Sequence, residues 1–449
     1  MGRLFGTDGI RGLANRDLSI ERASGVGVAL AMVLRERLGR RPAVLIGKDT
    51  RCSSDMLEMA VAAGLCAGGA DVTLIGVAPT PAVAWLTPAK GADGGVMITA
   101  SHNTYEYNGI KIFGADGYKL SDAQEEEIED ILLDHSIPQV LASAEAIGTV
   151  DRRADCVEDY VSHIASAVPE GLGGLRVLAD CANGSAARTA ARLFSLIGAD
   201  ADLTACMPDG VNVNRNCGST RIQNLCGKVC EGGYALGVAF DGDADRCLAV
   251  DEKGNVVDGD QIMAVLAQDM KMRGRLNRDT LAVTVMSNLG LFQFAERSGI
   301  AARTTKVGDR YVLEAMRREG LSLGGEQSGH IIFSDMMTTG DGQLSAVRLM
   351  EVMHRTGKPL SELCSVVKIL PQVLLNMEAT VDMKARLAEC IELTEAVRRC
   401  EEELGGKGRI LIRPSGTEPL IRVMVEGEDP TQIDAIAHRV ADAIRINLA

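Results

Sequence analysis

The chain has 449 residues, too many for one ordinary hydrophobic core, and that length suggests about three domains. Its composition is globular, 46% hydrophobic and 24% charged, with no low-complexity tract. A formal charge of −14, from 47 basic against 61 acidic residues, argues against general nucleic-acid or membrane-surface binding; any phosphate must be held by a few local Arg, Lys and backbone N–H groups.

The apolar run from Gly25 to Leu34 lies between Arg22 and Arg35. It falls far short of the ~20 residues a spanning helix needs, and no charged-then-apolar signal segment opens the chain. The expectation is a soluble, cytoplasmic protein, with no nucleic-acid or membrane partner. The 12 cysteines suit that reading as small buried hydrophobes in a reducing compartment. Their densest group (Cys206, Cys217, Cys226, Cys230, Cys247) contains no CxxC pair and so argues for structural thiols over zinc.

In chain order, Ser19 to Leu38 reads as a helix, followed by a strand at 43–46, a helix from Ser53 to Ala67, a strand from Val72 to Val77 and another from Gly94 to Ala100. The acidic segment Asp122 to Asp134 falls near a first boundary. The pattern restarts with a strand from Leu175 to Asp180, a turn at Asn183-Gly184 and a helix through Leu196. It restarts again with a helix from Asp260 to Met272, a strand from Leu281 to Met286 and a helix from Leu291 to Ser298. Such alternation predicts three α/β units of parallel strands covered by helices. After about Leu370 come a long amphipathic stretch from Val381 to Leu404, two β-like runs around Arg413 to Pro419, and a helix with Ile433, Ile436, Val440 and Ile444 on one face. This predicts a smaller α+β domain.

Thr99-Ala100-Ser101-His102-Asn103 and then Asn108-Gly109-Ile110-Lys111 deliver a serine to the end of an apolar strand, where ligand sites in α/β sheets occur. His102 and Lys111 can hold anionic oxygens or move protons. The bland alternative is a Ser/Asn helix cap with a lysine reaching out to solvent. Asp241-Gly242-Asp243-Ala244-Asp245-Arg246 follows a strand-like run; three carboxylates at alternate positions repel one another, and oxygen-only ligands favour a hard ion such as Mg²⁺. A solvated acidic turn is the plain alternative. A calcium hand fails because its sixth position, where glycine is required, is Arg246.

Gly324-Gly325-Glu326-Gln327-Ser328-Gly329-His330, between two apolar runs, offers Glu326 and Ser328 as partners for sugar hydroxyls, or is a hairpin with polar decoration. Arg413-Pro414-Ser415-Gly416-Thr417-Glu418-Pro419 suits phosphate capture by an arginine fork and a backbone nest. Gly6-Thr7-Asp8-Gly9-Ile10-Arg11-Gly12 adds a glycine-hinged arginine. Together these loops supply a hydroxyl nucleophile, a cation site, a sugar grip and a phosphate cradle. No Gly-x4-Gly-Lys-Ser/Thr loop and no convincing GxGxxG accompanies them, so ATP need not be the donor. With 3% aromatic residues, phosphate anchoring must dominate over ring stacking.

These segments, in this order, resemble the α-D-phosphohexomutase superfamily across essentially the whole chain. The opening from Leu4 to Gly12, the Asp-Gly-Asp-Ala-Asp-Arg at 241–246 and the Arg-Pro-Ser-Gly-Thr-Glu-Pro at 413–419 look like its phosphoglucosamine mutase branch; the phosphomannomutase/phosphoglucomutase branch is the alternative. The resemblance implies three α/β domains with mixed sheets plus a C-terminal α+β domain around a central cleft, at residues 1–152, 153–256, 257–369 and 370–449. It implies a phosphoryl group carried on Ser101, and one Mg²⁺ per site held by Asp241, Asp243, Asp245 and a phosphoserine oxygen. Arg11, Arg246 and Lys111 would stabilise charge or relay protons, with His102 and His330 as acid/base candidates. Glu326 and Ser328 would hold sugar hydroxyls, and Arg413, Ser415, Gly416 and Thr417 the phosphate that is not reacting. A bisphosphorylated sugar would serve as intermediate and activator of a monomeric or homodimeric enzyme acting on a phosphosugar. The family pattern after Ser-His-Asn has proline, where this chain has Thr104. Loss of that φ restraint bears on the rigidity of the serine loop.

Overall fold

The computed structural model describes residues 3–6, 8–134, 141–387, 389–415 and 419–448. Gly416 and Thr417 of the expected phosphate cradle lie outside the described residues.

The first lobe contains β1 (Ile10–Leu13), α1 (Ile20–Leu38), β2 (Ala43–Lys48), α2 (Ser54–Ala67), β3 (Asp71–Val77), α3 (Thr80–Ala89), β4 (Gly94–Ile98), β5 (Tyr107–Gly114), α4 (Asp122–Leu133) and β6 (Val150–Arg152). Its sheet runs β1-β5-β4-β2-β3-β6. Helix α1 starts where Ser19 accepts the Arg22 N–H and stops at left-handed Gly39, as its caps dictate. The second lobe has α5 (Cys156–Ala165), β7 (Arg176–Asp180), α6 (Ala186–Leu196), β8 (Asp200–Thr204), α7 (Gln223–Gly232), β9 (Leu236–Phe240), β10 (Cys247–Asp251) and β11 (Val256–Val257), in the order β11-β10-β9-β7-β8.

The third stretch has α8 (Gly259–Met272), β12 (Thr280–Thr284), α9 (Leu289–Arg297), β13 (Ala301–Thr305), α10 (Asp309–Glu319), β14 (Leu323–Gly325), β15 (Ile331–Phe333), α11 (Gly342–Thr356) and α12 (Leu360–Cys364). Its sheet runs β13-β12-β14-β15. The fourth has β16 (Gln372–Glu378), α13 (Val381–Arg386), α14 (Ile391–Leu404), β17 (Gly408–Pro414), β18 (Leu420–Gly427) and α15 (Pro430–Leu448), with antiparallel order β16-β18-β17.

The three α/β sheets are mixed, not purely parallel, and the departure is the same in each. A parallel strand is followed by an antiparallel neighbour: β4 by β5, β9 by β10, β14 by β15. The loops inside these three pairs are the serine loop, the acidic loop and the glycine-rich Glu326 loop. Each lobe thus offers one hairpin end to chemistry, and topology supplies the equivalence that sequence pattern only suggests.

The described chain divides into two compact units: Met1–Met286 with Ser298–Val366, and Ser287–Arg297 with Val367–Ala449. Helix α9 belongs to the second unit although both its chain neighbours, β12 and β13, belong to the first. Buried Glu426 of β18 explains this: its carboxylate accepts the Leu289 N–H at the start of α9 (3.1 Å) as well as Arg409 Nε (2.7 Å) and Gln372 Nε2 (3.0 Å). An acidic group at a helix N-terminus is favoured by the exposed N–H groups there. The amphipathic stretch 381–404 is two helices, because Cys390 leaves helical geometry (φ −78°, ψ 107°). Helix α15 buries Ile433, Ile436, Val440 and Ile444 against the sheet, as the spacing predicts. Each such side chain contributes roughly 1.5–3 kcal/mol of burial.

Candidate active site

Ser101 leaves β4 in the left-handed region (φ +53°) and is 0% exposed. Its Oγ donates to Asp241 Oδ2 at 2.8 Å and lies 3.5 Å from His102 Nδ1. The next element is a strand, so Ser101 caps no helix. Lys111, on β5, does not reach out to solvent: it is 1% exposed and its Nζ meets Asp243 Oδ2 (2.8 Å), Asp8 Oδ2 (3.1 Å) and Asp245 Oδ2 (3.3 Å).

The acidic loop is buried, not a solvated turn, and its flanks are strands β9 and β10 rather than the helices of a calcium hand. Gly242 packs against the serine loop so closely that a Cβ there would come 2.6 Å from the Ser101 carbonyl oxygen. Asp243 sits at the start of α3, where Thr80 donates both its N–H to the Asp243 carbonyl (2.9 Å) and its Oγ1 to Oδ2 (2.5 Å). One oxygen from each of Asp241, Asp243 and Asp245 falls within 4.8 Å of the others. Asp243 Oδ1 and Asp245 Oδ1 are buried with no hydrogen-bond partner among the described residues; Arg246 Nε stands 3.8 Å from the latter. Buried carboxylate oxygens left without donors are costly, and a hard divalent cation satisfies them. The donor set fits a metal site.

The charges are arranged unequally. Burial, then the neighbouring Asp245 and Asp243, pushes the Asp241 carboxyl well above the ordinary range. Burial would also raise Asp245, but Lys111 foremost, then His330 and Arg246, hold it well below. Burial opposes the charge on Lys111, yet Asp243, Asp8 and Asp245 together raise its pKa well above that of a free lysine. These three carboxylates favour the charged form of Lys111. His102 is pushed down to about 4 by burial and by Arg246 and Arg11. It is neutral at pH 7.

Beside this centre lies a cavity of ≈ 390 Å³, a size suited to a small ligand, lined by Arg11, His102, Arg246, Asp309, Glu326, Ser328 and His330 among others. The Nε atoms of Arg11 and Arg246 are buried without hydrogen-bond partners among the described residues, although both side chains are about a quarter exposed, at 25% and 24%. Glu326 Oε1 accepts the Gly308 N–H at 3.1 Å, and burial raises its pKa. His330 packs on Gly340, whose N–H meets Nε2 at 3.1 Å, while Nδ1 is 3.7 Å from Asp245 Oδ2. A larger cavity, ≈ 750 Å³ and lined by Tyr118, Arg310 and Arg317, contains neither Ser101 nor the triad.

The first unit thus brings together Ser101, His102, Lys111, Arg11, Asp241, Asp243, Asp245, Arg246, Glu326, Ser328 and His330. Arg413 and Ser415 belong to the second unit, at the end of β17 and just beyond it; the Ser415 carbonyl accepts from Lys384 Nζ (2.8 Å). Several participants carry no legible motif: Thr80, Lys119, Asp309, Arg51 and Asn214. Lys119 bridges Asp8 and Asp309 (2.6 Å to the latter), and Asp8 also takes Arg11. In the sequence Asp8 stands out only through its place in the glycine-hinged segment with Arg11. Of the cysteines, Cys52 and Cys230 are exposed and six are buried, so the buried-hydrophobe reading holds for half of them; all 12 are free thiols.

Four family models match: phosphoglucomutase/phosphomannomutase alpha/beta/alpha domains I, II and III over residues 2–137, 158–254 and 258–369, and the C-terminal domain over 374–443. Curated phosphoglucosamine mutases from Caldicellulosiruptor bescii (451 residues aligned) and Acetivibrio thermocellus (448 aligned) are each 51% identical, covering 100% of both chains. Among solved structures, a phosphoglucomutase/phosphomannomutase family protein from Burkholderia thailandensis superposes with a TM-score of 0.82 at 24% identity, covering 99% of this chain and 97% of its own. Aspergillus fumigatus N-acetylphosphoglucosamine mutase, in complex with GlcNAc-6P and magnesium, gives 0.71 at 19% identity, covering 99% and 96%. Those two likenesses concern the fold. The full-length identities and the four matched domains go further: the chain belongs to the phosphoglucosamine mutases, a branch of the phosphoglucomutase/phosphomannomutase family of α-D-phosphohexomutases.

Proposed function

We propose that this protein interconverts glucosamine 6-phosphate and glucosamine 1-phosphate by passing a phosphoryl group through Ser101. The observation that carries the reading is the 2.8 Å bond from Ser101 Oγ to Asp241, inside a buried triad whose neighbouring oxygens lack donors. Asp241, Asp243 and Asp245, with an oxygen of phosphorylated Ser101, are the groups suited to hold Mg²⁺. Bound there, the ion would neutralise phosphoryl oxygens.

The remaining work falls to side chains in place. As the sugar's free hydroxyl oxygen bonds to phosphorus, the Ser101 Oγ–phosphorus bond breaks and the hydroxyl proton must leave. His102, neutral and 3.5 Å from Ser101 Oγ, can take or return a proton; His330, also on the cavity lining, is the second candidate. Lys111 stays charged and offsets the carboxylates, so they do not repel the incoming phosphate. Arg11 and Arg246 present partly exposed guanidinium groups to the phosphoryl oxygens. The product of the first transfer is a sugar bisphosphate; its other phosphate then returns to Ser101, which balances the cycle without ATP. Glu326 and Ser328 grip sugar hydroxyls, and Arg413, Ser415, Gly416 and Thr417 hold the phosphate that is not reacting. The carboxylate of Asp309 on the cavity lining suits a sugar bearing a 2-ammonium group, in accord with the names of the 51%-identical relatives. The 12 free thiols suit the reducing cytoplasm to which we assign the protein, and a monomer or homodimer is the assembly we infer.

The test is turnover of glucosamine, glucose and mannose 6-phosphates with Mg²⁺ and a catalytic amount of the matching bisphosphate, with the phosphorylated residue mapped by mass spectrometry. Preference for the amino sugar and phosphate on Ser101 support the reading. Phosphate on another residue, or steady release of inorganic phosphate without isomer formation, would sink it.

A further inference from the structure

Arg51 lies outside the cavity and outside the triad, yet its side chain has more directional contacts than any group in them. It forms an ion pair with Asp49 in which both side chains are 0% exposed. A guanidinium has five N–H donors in a rigid fork. All five are used: Nε donates to Asp49 Oδ2 (2.7 Å), Nη1 to the carbonyls of Thr104 and Tyr107 (3.0 Å to Tyr107), and Nη2 to those of Ser101 (2.8 Å) and Asn103 (2.9 Å). Four of the five acceptors are backbone oxygens of one turn, the one that presents the reacting serine.

The same turn is held from two further sides. Asp49 Oδ2 also accepts from Thr99 Oγ1 (2.7 Å), and Thr99 Oγ1 in turn accepts the Ser101 N–H (2.9 Å). Asn214, from the second lobe, donates Nδ2 to two of the carbonyls Arg51 holds, Ser101 (2.9 Å) and Asn103 (3.0 Å). Ser101 occupies a left-handed backbone conformation (φ +53°) that a non-glycine residue keeps only when its surroundings over-determine it. Thr104, standing where the family pattern has proline, has its own carbonyl in the grip of Arg51.

We propose that Arg51, seated by Asp49 and seconded by Asn214, is a positioning residue for phosphoryl transfer: it fixes the backbone of residues 101–107 so that Ser101 Oγ keeps its line to the acidic triad. It touches neither the cavity nor the sugar, so its removal impairs transfer and leaves substrate affinity in place. Lysine cannot substitute, having three donors on a point charge instead of a planar fork.

The inference rests on the mutase reading above, and wild-type turnover of glucosamine 6-phosphate separates the two: its absence overturns that reading, whereas native turnover in the variants overturns this one. In full-length Arg51→Lys, kcat falls on the order of 100-fold, the penalty for displacing a reacting atom by about 1 Å, while KM stays within about threefold. Millimolar guanidinium raises the turnover of Arg51→Ala by about tenfold or more and does nothing for Ser101→Ala. A folded Arg51→Lys with kcat within about threefold of wild type overturns the proposal, as does guanidinium that raises the melting temperature of Arg51→Ala without raising its turnover. If neither Arg51 variant folds, Asn214→Ala decides. It removes two bonds to the same carbonyls, and the proposal requires a roughly tenfold lower kcat at unchanged KM; unchanged kcat overturns it.

Discussion

The two ends of the cleft in the first unit are built on opposite principles. At the transfer end Ser101, Lys111, Asp241 and Asp243 are sealed from water, and each is fixed by others of its own network. At the sugar end Glu326, Gln327 and Ser328 are half-buried around open space, with few mutual bonds. The difference teaches which errors each end tolerates. A buried network of charges has one arrangement, and losing a member leaves its partners uncompensated. A lined cavity can lose a contact and still hold a ligand, less selectively.

The largest expected effect is therefore at the sealed end. Ser101→Ala should lower isomer formation by about 10⁴-fold or more, because no second hydroxyl replaces the acceptor oxygen. Isomer turnover within tenfold of wild type would show that the phosphoryl group takes another route. Lys111→Met comes next. It takes from Asp243 its cation and from Asp8 and Asp245 one cation each, so stability should fall by roughly 3–5 kcal/mol and turnover by about 10²–10³-fold. Adding Asp243→Asn should restore part of the stability, read by urea denaturation, and none of the turnover. If the double variant is no more stable than the single one, Lys111 and Asp243 do not compensate each other.

The sugar end should answer with selectivity. Glu326→Gln should cost about 10–100-fold in kcat/KM on any hexose phosphate, since it weakens a hydroxyl contact common to all. Asp309→Asn should lower the ratio of kcat/KM for glucosamine 6-phosphate over glucose 6-phosphate by about tenfold, roughly 1.4 kcal/mol of lost attraction for the ammonium group. Its Oδ2 is shared with Lys119 (2.6 Å) and lies 3.6 Å from His330 Nε2. A purely structural role for that carboxylate would lower both substrates equally.

The same contrast governs what could be read from the chain beforehand. Ser101, the Asp241 triad and the Glu326 loop were legible because each is a local hairpin end, where spacing and residue type suffice. Their supports were not. Thr80 reaches Asp243 across 163 positions, Asn214 reaches Ser101 across 113, and no periodicity connects such pairs. Lys119 stands in an unremarkable Gly-Tyr-Lys, and its place between Asp8 and Asp309 exists only once two lobes meet. Helix α9 follows from the pattern over 291–298, but its membership of the second unit depends on Glu426, 137 positions away from Leu289. Strand β5 does not stand out as an element, although its Lys111 does, because Asn108 and Gly109 interrupt the apolar pattern.

The smallest expected effect concerns Asp341, a buried carboxyl that neither end of the cleft uses. It caps α11 by accepting the Leu344 N–H (2.9 Å) and takes the Tyr160 hydroxyl of α5 (2.9 Å). Burial outweighs those bonds and pushes its pKa up to about 7 from an ordinary 3.8. The folded protein therefore holds this proton more tightly than the unfolded chain, so between about pH 4 and 7 the folded state binds more protons and stability falls as pH rises. Asparagine keeps the acceptor for Leu344 and cannot ionise. From pH 5 to pH 8 the wild type should lose on the order of 1–3 kcal/mol more stability than Asp341→Asn, at about 1.4 kcal/mol per unit of pKa shift. Urea midpoints that move in parallel for the two proteins would mean that this carboxyl is already ionised at pH 5. The Tyr160 bond would then outweigh burial.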